Sequence, residues 1–493
     1  MLFNSYAFLF VFFPSAFALF FLAARLSPML AAGVLTLASL VFYGWWSVAA
    51  LPLLLLSICA NYFFGIKVTP GGPGAPLRRE RERKTWFYAA IGANLGLLAF
   101  FKYANFFVEN SNAILAALGA APITAPHVVL PIGISFFTFT QIAFLVDCYQ
   151  GKVKERNFIH YALFVSYFPH LIAGPILHHA QMMPQFAIPG TYRINLDKVA
   201  IGIILLTIGL SKKLLIADPL GDHADALFES VAKGGMPQLV PAWLGVFAYA
   251  FQIYFDFSAY SDMAIGLSLF FGIRLPVNFN SPYKATSIID FWSRWHISLS
   301  AFLRSYLYIP LGGNRRGKPR RYVNLMITML LGGLWHGASW TFVLWGALHG
   351  VMLVINHAWR AAFGVRRYGP AGLVACWALT FLGVCLAWVL FRSDSLTIAL
   401  EIYRALIGLN GMLPIAHANG SALDSGAIGA VVAAATICLA FGNANKLPDM
   451  SLSTSSKAAR WLLHPAAAFV FACLFVACVV RLSSPSPFLY FQF

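Results

Sequence analysis

Apolar positions in this chain come in long blocks, interrupted by short polar stretches, instead of recurring with the period of a half-buried surface helix. The blocks fall at 5–24, 29–47, 49–66, 86–101, 127–147, 158–176, 196–217, 240–272, 322–345, 346–363, 370–392, 425–443 and 461–481. Most approach the roughly 20 residues a helix needs to cross about 30 Å of hydrocarbon. Backbone groups in lipid must be satisfied within the segment, so each block is predicted to be a helix. The pattern predicts an all-α polytopic membrane protein with eleven to thirteen membrane segments. Two shorter stretches, 105–120 and 394–410, are amphipathic and are predicted to lie at the interface. No internal repeat relates one part of the chain to another, which argues against the inverted-repeat architecture common in secondary transporters.

Composition removes the other broad classes. Of 493 residues 60% are hydrophobic and only 10% charged, with a mean hydropathy of +0.74, which leaves no room for a soluble catalytic domain. The first block, MLFNSYAFLFVFFPSAFALFFLAARL, lacks a basic leader and is longer than a signal-peptide core, so it is expected to be retained. The net charge of +17 comes from basic residues flanking apolar blocks, which points to topogenic bias and anionic headgroups instead of nucleic acid. Two loops concentrate that charge: 67–84, with Arg78, Arg79, Arg81, Arg83 and Lys84, and 312–321, with Arg315, Arg316, Lys318, Arg320 and Arg321. Both are predicted to face the cytoplasm, and three crossings before the first place Arg25 inside and the N-terminus outside. The seven cysteines lie mostly in apolar runs without ligand-like spacing, so neither a metal site nor a disulfide framework is expected.

Four polar islands mark the candidate chemistry, because polar groups at membrane depth face a protein interior or a water-filled cavity. In the first, LPIGISFFTFTQIAFLVDCYQ at 130–150, the hydroxyls are expected to bond their own helix backbone. In the second, FQIYFDFSAYSDMAIG at 251–266, Asp256 and Asp262 stand six apart, about 240° round a helix, too divergent for a carboxylate pair. Asp256 and Tyr260 share a face, and either residue is expected to orient a catalytic group or to satisfy Arg294. The third, DFWSRWHISLSAFLRSYLYIPLGG at 290–313, is predicted to be one re-entrant or interfacial helix. It would carry Trp292, Trp295, His296 and Leu299 on one face and Asp290, Arg294 and Ser298 on another. His296 there is either an interfacial anchor or a reactive group. The fourth, LGGLWHGASWTF at 331–342, holds His336 beside Trp335 and among Gly332, Gly333 and Gly337, with Ser339 and Trp340 at i+3 and i+4. Glycine there lets another backbone or a ligand approach closely. Counted from Tyr322, His336 lies roughly 20 Å along the axis, near or slightly beyond the bilayer midplane.

The segments WHGASWTFVLWGALHG, RWHISLS followed by YIPLGGNRRG, and QIYFDFSAYSDMAIG, with MLFNSYAFLFVF and PIGISFFTFTQ, together resemble the membrane-bound O-acyltransferase family, in particular its bacterial alginate O-acetylation branch. The resemblance runs to about residue 360; beyond it the chain matches only in hydropathy. It implies one integral-membrane domain over 1–493, with the motif-bearing core at about 128–360, C-terminal helices at 370–481 and a central tunnel. It places the family's essential histidine on His336 and its second motif histidine on His296. It further implies acetyl-CoA as donor substrate, no bound cofactor, the bacterial inner membrane, and a periplasmic or membrane-anchored partner resembling an SGNH hydrolase.

Acyl transfer from a thioester to a hydroxyl needs a base for the hydroxyl proton and donors for the tetrahedral oxyanion. A histidine in apolar surroundings stays neutral and can serve as that base, or can itself carry the acyl group. Trp335, Ser339, Trp340, Asp256, Tyr260, Asp290 and Arg294 are candidates to line the site, and Arg315, Arg316 and Lys318 to attract the phosphates of CoA. The rival class is a transporter or flippase for a polysaccharide precursor, which would call for carboxylates at membrane depth.

Overall fold

The structure is a computed structural model that describes residues 1–70, 80–364, 366–412, 425–449, 464–483 and 486–489; Arg78 and Arg79 of the first basic loop lie outside them. Among the described residues every regular element is helical. Of the helices in these described residues, eight are long and apolar enough to cross a membrane, and Ile134–Tyr149, Ser425–Ala440 and Pro465–Arg481 are shorter apolar helices. That is fewer full crossings than the hydropathy blocks predict, and two blocks account for much of the difference. The run at 127–147 becomes helical only after Gly133, whose φ of +73° is left-handed. The run at 158–176 is helical only over Phe158–Ser166, ahead of Pro169, and continues as irregular but buried backbone, which membrane proteins tolerate where protein covers it. The stretch 105–117 is not a separate short helix: it continues α4, Glu80–Ala117. Leu396–Leu406, by contrast, is a separate amphipathic helix that buries Ala399, Ile402, Ala405 and Leu406.

The chain divides into two compact units interleaved in sequence, Met1–Leu206 with Met263–Pro276 and Pro448–His464, and Thr207–Asp262 with Val277–Leu447 and Pro465–Phe493. The first contains α1 (Phe13–Ala24), α2 (Pro28–Trp46), α3 (Leu51–Val68), α4, α5 (Ile134–Tyr149), α6 (Phe158–Ser166) and α7 (His179–Phe186). Polar side chains of this unit bond across helices, and among the hydroxyls of 130–150 Ser135, which accepts from Lys102, departs from the expectation of self-contained bonding. Asn61 of α3 and Asn94 of α4 exchange amide hydrogen bonds at 3.3 and 2.6 Å. Gln141 of α5 donates to Ser57 Oγ at 2.9 Å and accepts from the Tyr161 hydroxyl of α6 at 3.2 Å. Lys102 donates to Ser135 Oγ, and the His179 ring meets Asp147 at 2.8 Å. A buried amide with its partners supplied costs little, and such a ladder fixes the register of four helices.

The second unit takes α8 (Leu196–Ser211) from Thr207, then α9 (Asp218–Ala232), α10 (Leu239–Phe270) as far as Asp262, α11 (Ile288–Arg294), α12 (Ile297–Leu303), α13 (Gly317–His336), α14 (Trp340–Phe363) and α15 (Pro370–Arg392). Helices Leu396–Leu406 (α16), Ser425–Ala440 (α17) and Pro465–Arg481 (α18) complete it. Its centre is the hairpin of α13 and α14. A Cβ added at Gly333 would lie 2.2 Å from the Phe342 carbonyl oxygen, and one at Gly346 2.3 Å from that of Met329. Glycine is required at both because the two backbones touch, the close approach that small residues give membrane helices.

Candidate active site

The predicted continuous helix through 331–342 is broken. α13 ends at His336, Gly337 is extended with φ −160°, and Ser339 starts α14 by accepting from the Thr341 amide at 3.3 Å. His336 therefore stands at the apex of a hairpin, about 28 Å along α13 from Gly317. It is 5% exposed. Its ring meets Trp335 at 5.0 Å, Trp345 at 5.0 Å and Phe391 of α15 at 5.2 Å between centroids, each near edge-to-face. The glycines serve helix packing: a Cβ at Gly337 would meet the Phe342 ring at 2.1 Å.

The second histidine is placed by an unusual backbone. The predicted single helix at 290–313 is two short ones, α11 and α12, joined at Trp295 and His296 and followed by a wide turn over Arg304–Tyr308. His296 adopts φ +41°, ψ +57°, a left-handed conformation that a non-glycine residue holds only when its surroundings impose it. It is fully buried, which excludes the interfacial-anchor reading. The Asn278 side-chain oxygen Oδ1 accepts from Ser298 N at 3.2 Å and Ser298 Oγ at 2.9 Å, and lies 3.1 Å from His296 Nδ1. An acceptor there selects the tautomer with hydrogen on Nδ1, which makes Nε2 the basic nitrogen. Phe257 packs on the ring at 4.8 Å, and Trp335 neighbours both histidines, 6.3 Å from His296.

The other predicted site residues divide. Trp335 is buried in the cluster, but Trp340 is 52% exposed and Ser339 caps a helix. Their spacing from His336 misled because helical phase does not carry across the break at Gly337. Asp256 does not serve Arg294: it pairs with Lys213 at 2.7 Å and accepts from the Leu489 amide at 2.9 Å, while Arg294 pairs with Asp290 at 2.8 Å. Asp262 has its own partner, Lys212, at 2.6 Å. Tyr260 is buried with its ring against Phe488 at 5.1 Å. None of Asp256, Asp290 or Arg294 makes a ring or polar contact with His336. Arg315, Arg316 and Lys318 are exposed.

Sequence reading passed over four aromatic side chains of the site. Trp345 lies against His336 and, at 4.8 Å, against His349 one turn further along α14. The Trp292 indole donates to His349 Nδ1 at 3.3 Å. Trp388 stacks with Trp345 at 6.0 Å, and Phe391 closes the far side of the cluster at 5.3 Å from Trp345. The signal available was His349 itself, an ionisable residue in a 24-residue apolar helix.

The second unit gathers three buried histidines, His296, His336 and His349, among aromatic rings, with Asp256 and Asp262 paired to Lys213 and Lys212. The comparisons identify the class. The family of membrane-bound O-acyltransferases matches residues 80–391, which include His296, His336, Trp345, His349 and Phe391, and the chain belongs to that family. It is a multi-pass membrane enzyme, an O-acyltransferase. Among relatives, the peptidoglycan O-acetyltransferase of Helicobacter pylori is 44% identical over 84% of this chain and 81% of its own length. The probable alginate O-acetylase AlgI of Pseudomonas putida is 41% identical over the whole of both chains. The teichoic acid D-alanyltransferase of Streptococcus thermophilus is 30% identical over 46% of this chain and 57% of its own.

Proposed function

We propose that this enzyme takes the acetyl group of acetyl-CoA on the cytoplasmic side of a bacterial inner membrane and delivers it, through a periplasmic or membrane-anchored partner, to hydroxyls of an alginate-like exopolysaccharide. The observation that carries the reading is the setting of His336, a buried imidazole held by Trp335, Trp345 and Phe391 at the end of α13. The full-length similarity to an alginate O-acetylase supports the acetyl group and the polymer. Acetyl-CoA is a consumed substrate in this scheme, and no resident cofactor or metal enters it.

In the reaction, His336 accepts the proton of the incoming hydroxyl as its oxygen bonds to the thioester carbon. The carbonyl electron pair moves onto oxygen, then returns as the carbon–sulfur bond breaks, and the departing thiolate takes the proton from the imidazolium. Aromatic walls exclude water that would otherwise hydrolyse the thioester. His296, with hydrogen on Nδ1, supplies a second neutral base in the same unit. The pairing of Asp256 with Lys213 and Asp262 with Lys212 favours this scheme over a carboxylate-driven carrier.

The test is His336→Ala. Cells carrying it should lose base-labile acetyl esters from the extracellular polymer while the protein accumulates in the membrane. Purified enzyme with acetyl-CoA and an acceptor should stop releasing CoA thiol. Undiminished acetylation refutes the mechanism, and loss of esters from peptidoglycan instead of exopolysaccharide refutes the acceptor.

A further inference from the structure

Two hydrogen-bond donors beside His336 have no acceptor among the described residues. Trp345 and His349 are 1% and 0% exposed, and neither Trp345 Nε1 nor His349 Nε2 has a hydrogen-bond partner there. The direction of the His349 nitrogen is fixed by chemistry. Trp292 Nε1 can only donate, so His349 Nδ1 must accept, and the ring hydrogen resides on Nε2. His349 is thus a neutral imidazole presenting N–H. A buried donor without an acceptor is costly and is retained where something else supplies the acceptor. The two rings sit on consecutive turns of α14, touch each other at 4.8 Å, and the Trp345 ring also touches that of His336 at 5.0 Å.

We propose that Trp345 Nε1–H and His349 Nε2–H are the donor pair that binds the acyl carbonyl oxygen of the thioester and stabilises the oxyanion formed when the acceptor hydroxyl attacks. The inference rests on the acyl-transfer reading above and adds to it the groups that hold the developing charge. Trp292 is then a positioning residue, since its indole sets the tautomer of His349. Both donors are neutral, so they favour the negative oxygen over the neutral carbonyl without offering a proton to the base. The negative charge that appears on oxygen leaves with sulfur when the carbon–sulfur bond breaks.

The test uses the full-length enzyme in lipid nanodiscs with acetyl-CoA and measures CoA thiol release with an acceptor present. Trp345→Phe keeps an aromatic ring but removes the N–H together with the pyrrole half of the indole; it should lower kcat about 10²-fold, the usual effect of removing one such donor, with the KM for acetyl-CoA within twofold. His349→Leu should do the same, and His349→Gln, which keeps a neutral N–H, should recover part of the rate. The pH profile of the residual activity should match wild type, because His336 is untouched. A second readout does not depend on turnover. In the His336→Ala background, the infrared carbonyl band of bound [1-13C]acetyl-CoA should lie below that of the free thioester and move back toward it on adding Trp345→Phe. Wild-type kcat in both Trp345→Phe and His349→Leu, or a bound carbonyl band equal to the free one, overturns the assignment. If His336→Ala is inactive while Trp345→Phe is not, the donor pair alone is wrong; if His336→Ala is active, the acyl-transfer mechanism falls with it.

Discussion

Each unit buries a polar cluster, and the two treat their donors differently. In the first, the side-chain amides of Asn61, Asn94 and Gln141, with Ser57 and Tyr161, all meet partners on their own or neighbouring helices. In the second, around the α13–α14 hairpin, Trp345 and His349 keep N–H groups with no acceptor among the described residues, and His296 holds a left-handed backbone. Unmet buried donors cost about 1–3 kcal/mol each, and a strained residue about as much again. The first cluster is what helices use to align; the second retains costs that helix alignment does not need. Polarity at membrane depth is thus an ambiguous sign of function until the hydrogen bonds are counted.

Substitutions can break or sharpen that contrast. The largest effect expected is from His336→Ala: a loss of about 10²–10⁴-fold in transfer rate, the usual contribution of a positioned base, with the thermal midpoint in detergent unchanged. A large fall in that midpoint would make His336 a packing residue like those of the first unit. His296→Ala should give a large but incomplete loss of rate. Asn278→Ala, which frees the His296 tautomer, should reproduce part of it, and wild-type turnover in both would return His296 to a purely structural role.

The opposite behaviour is expected in the first unit. Asn94→Leu strands the Asn61 amide and should cost about 1–3 kcal/mol, read as a lower thermal midpoint, with kcat retained; adding Asn61→Leu should restore much of the midpoint. A drop in kcat without a drop in midpoint would make the ladder part of the site. The smallest effect concerns the surface. Arg315→Ala with Arg316→Ala should raise the KM for acetyl-CoA a few-fold, the more so at low salt, if these exposed guanidinium groups attract its phosphates, and leave stability unchanged.

The helical class was readable from the length of the apolar blocks, because lipid permits few alternatives. His336 and His296 were readable as polar exceptions within motif segments, and the structure buries both. What hydropathy could not show was interruption. Gly337 and Ser339 of WHGAS are stop and start signals, but they sit inside an apolar block, and a helical face drawn through them sets Ser339 and Trp340 where α13 does not continue. Likewise, no residue type signals the left-handed turn at His296, since that conformation is imposed by the Asn278 and Ser298 contacts around it. Asp256 is expected to orient a catalytic group or to neutralise Arg294, 38 positions later, whereas its partner is Lys213, 43 positions earlier, and sequence separation does not choose between two such cations. Trp388 and Phe391 escaped notice for a plainer reason: in an apolar helix, wall and lipid-facing rings look alike until packing tells them apart.

The backbone contact at Gly333 and Gly346 also bears on how the protein is made. α13 and α14 together bury the turn that carries His336, while Arg315 and Arg316 precede the hairpin, Lys318 and Arg320 lie in its first turn, and Arg360, Arg366 and Arg367 close it. Positive flanks on both ends resist translocation, so the pair would enter the bilayer as one wedge, its tip leading and both feet held back on the side where the ribosome works. Such an element adds an even number of passes and leaves the orientation of everything downstream undisturbed. The turn that carries His336 would thus reach its depth in a single insertion event.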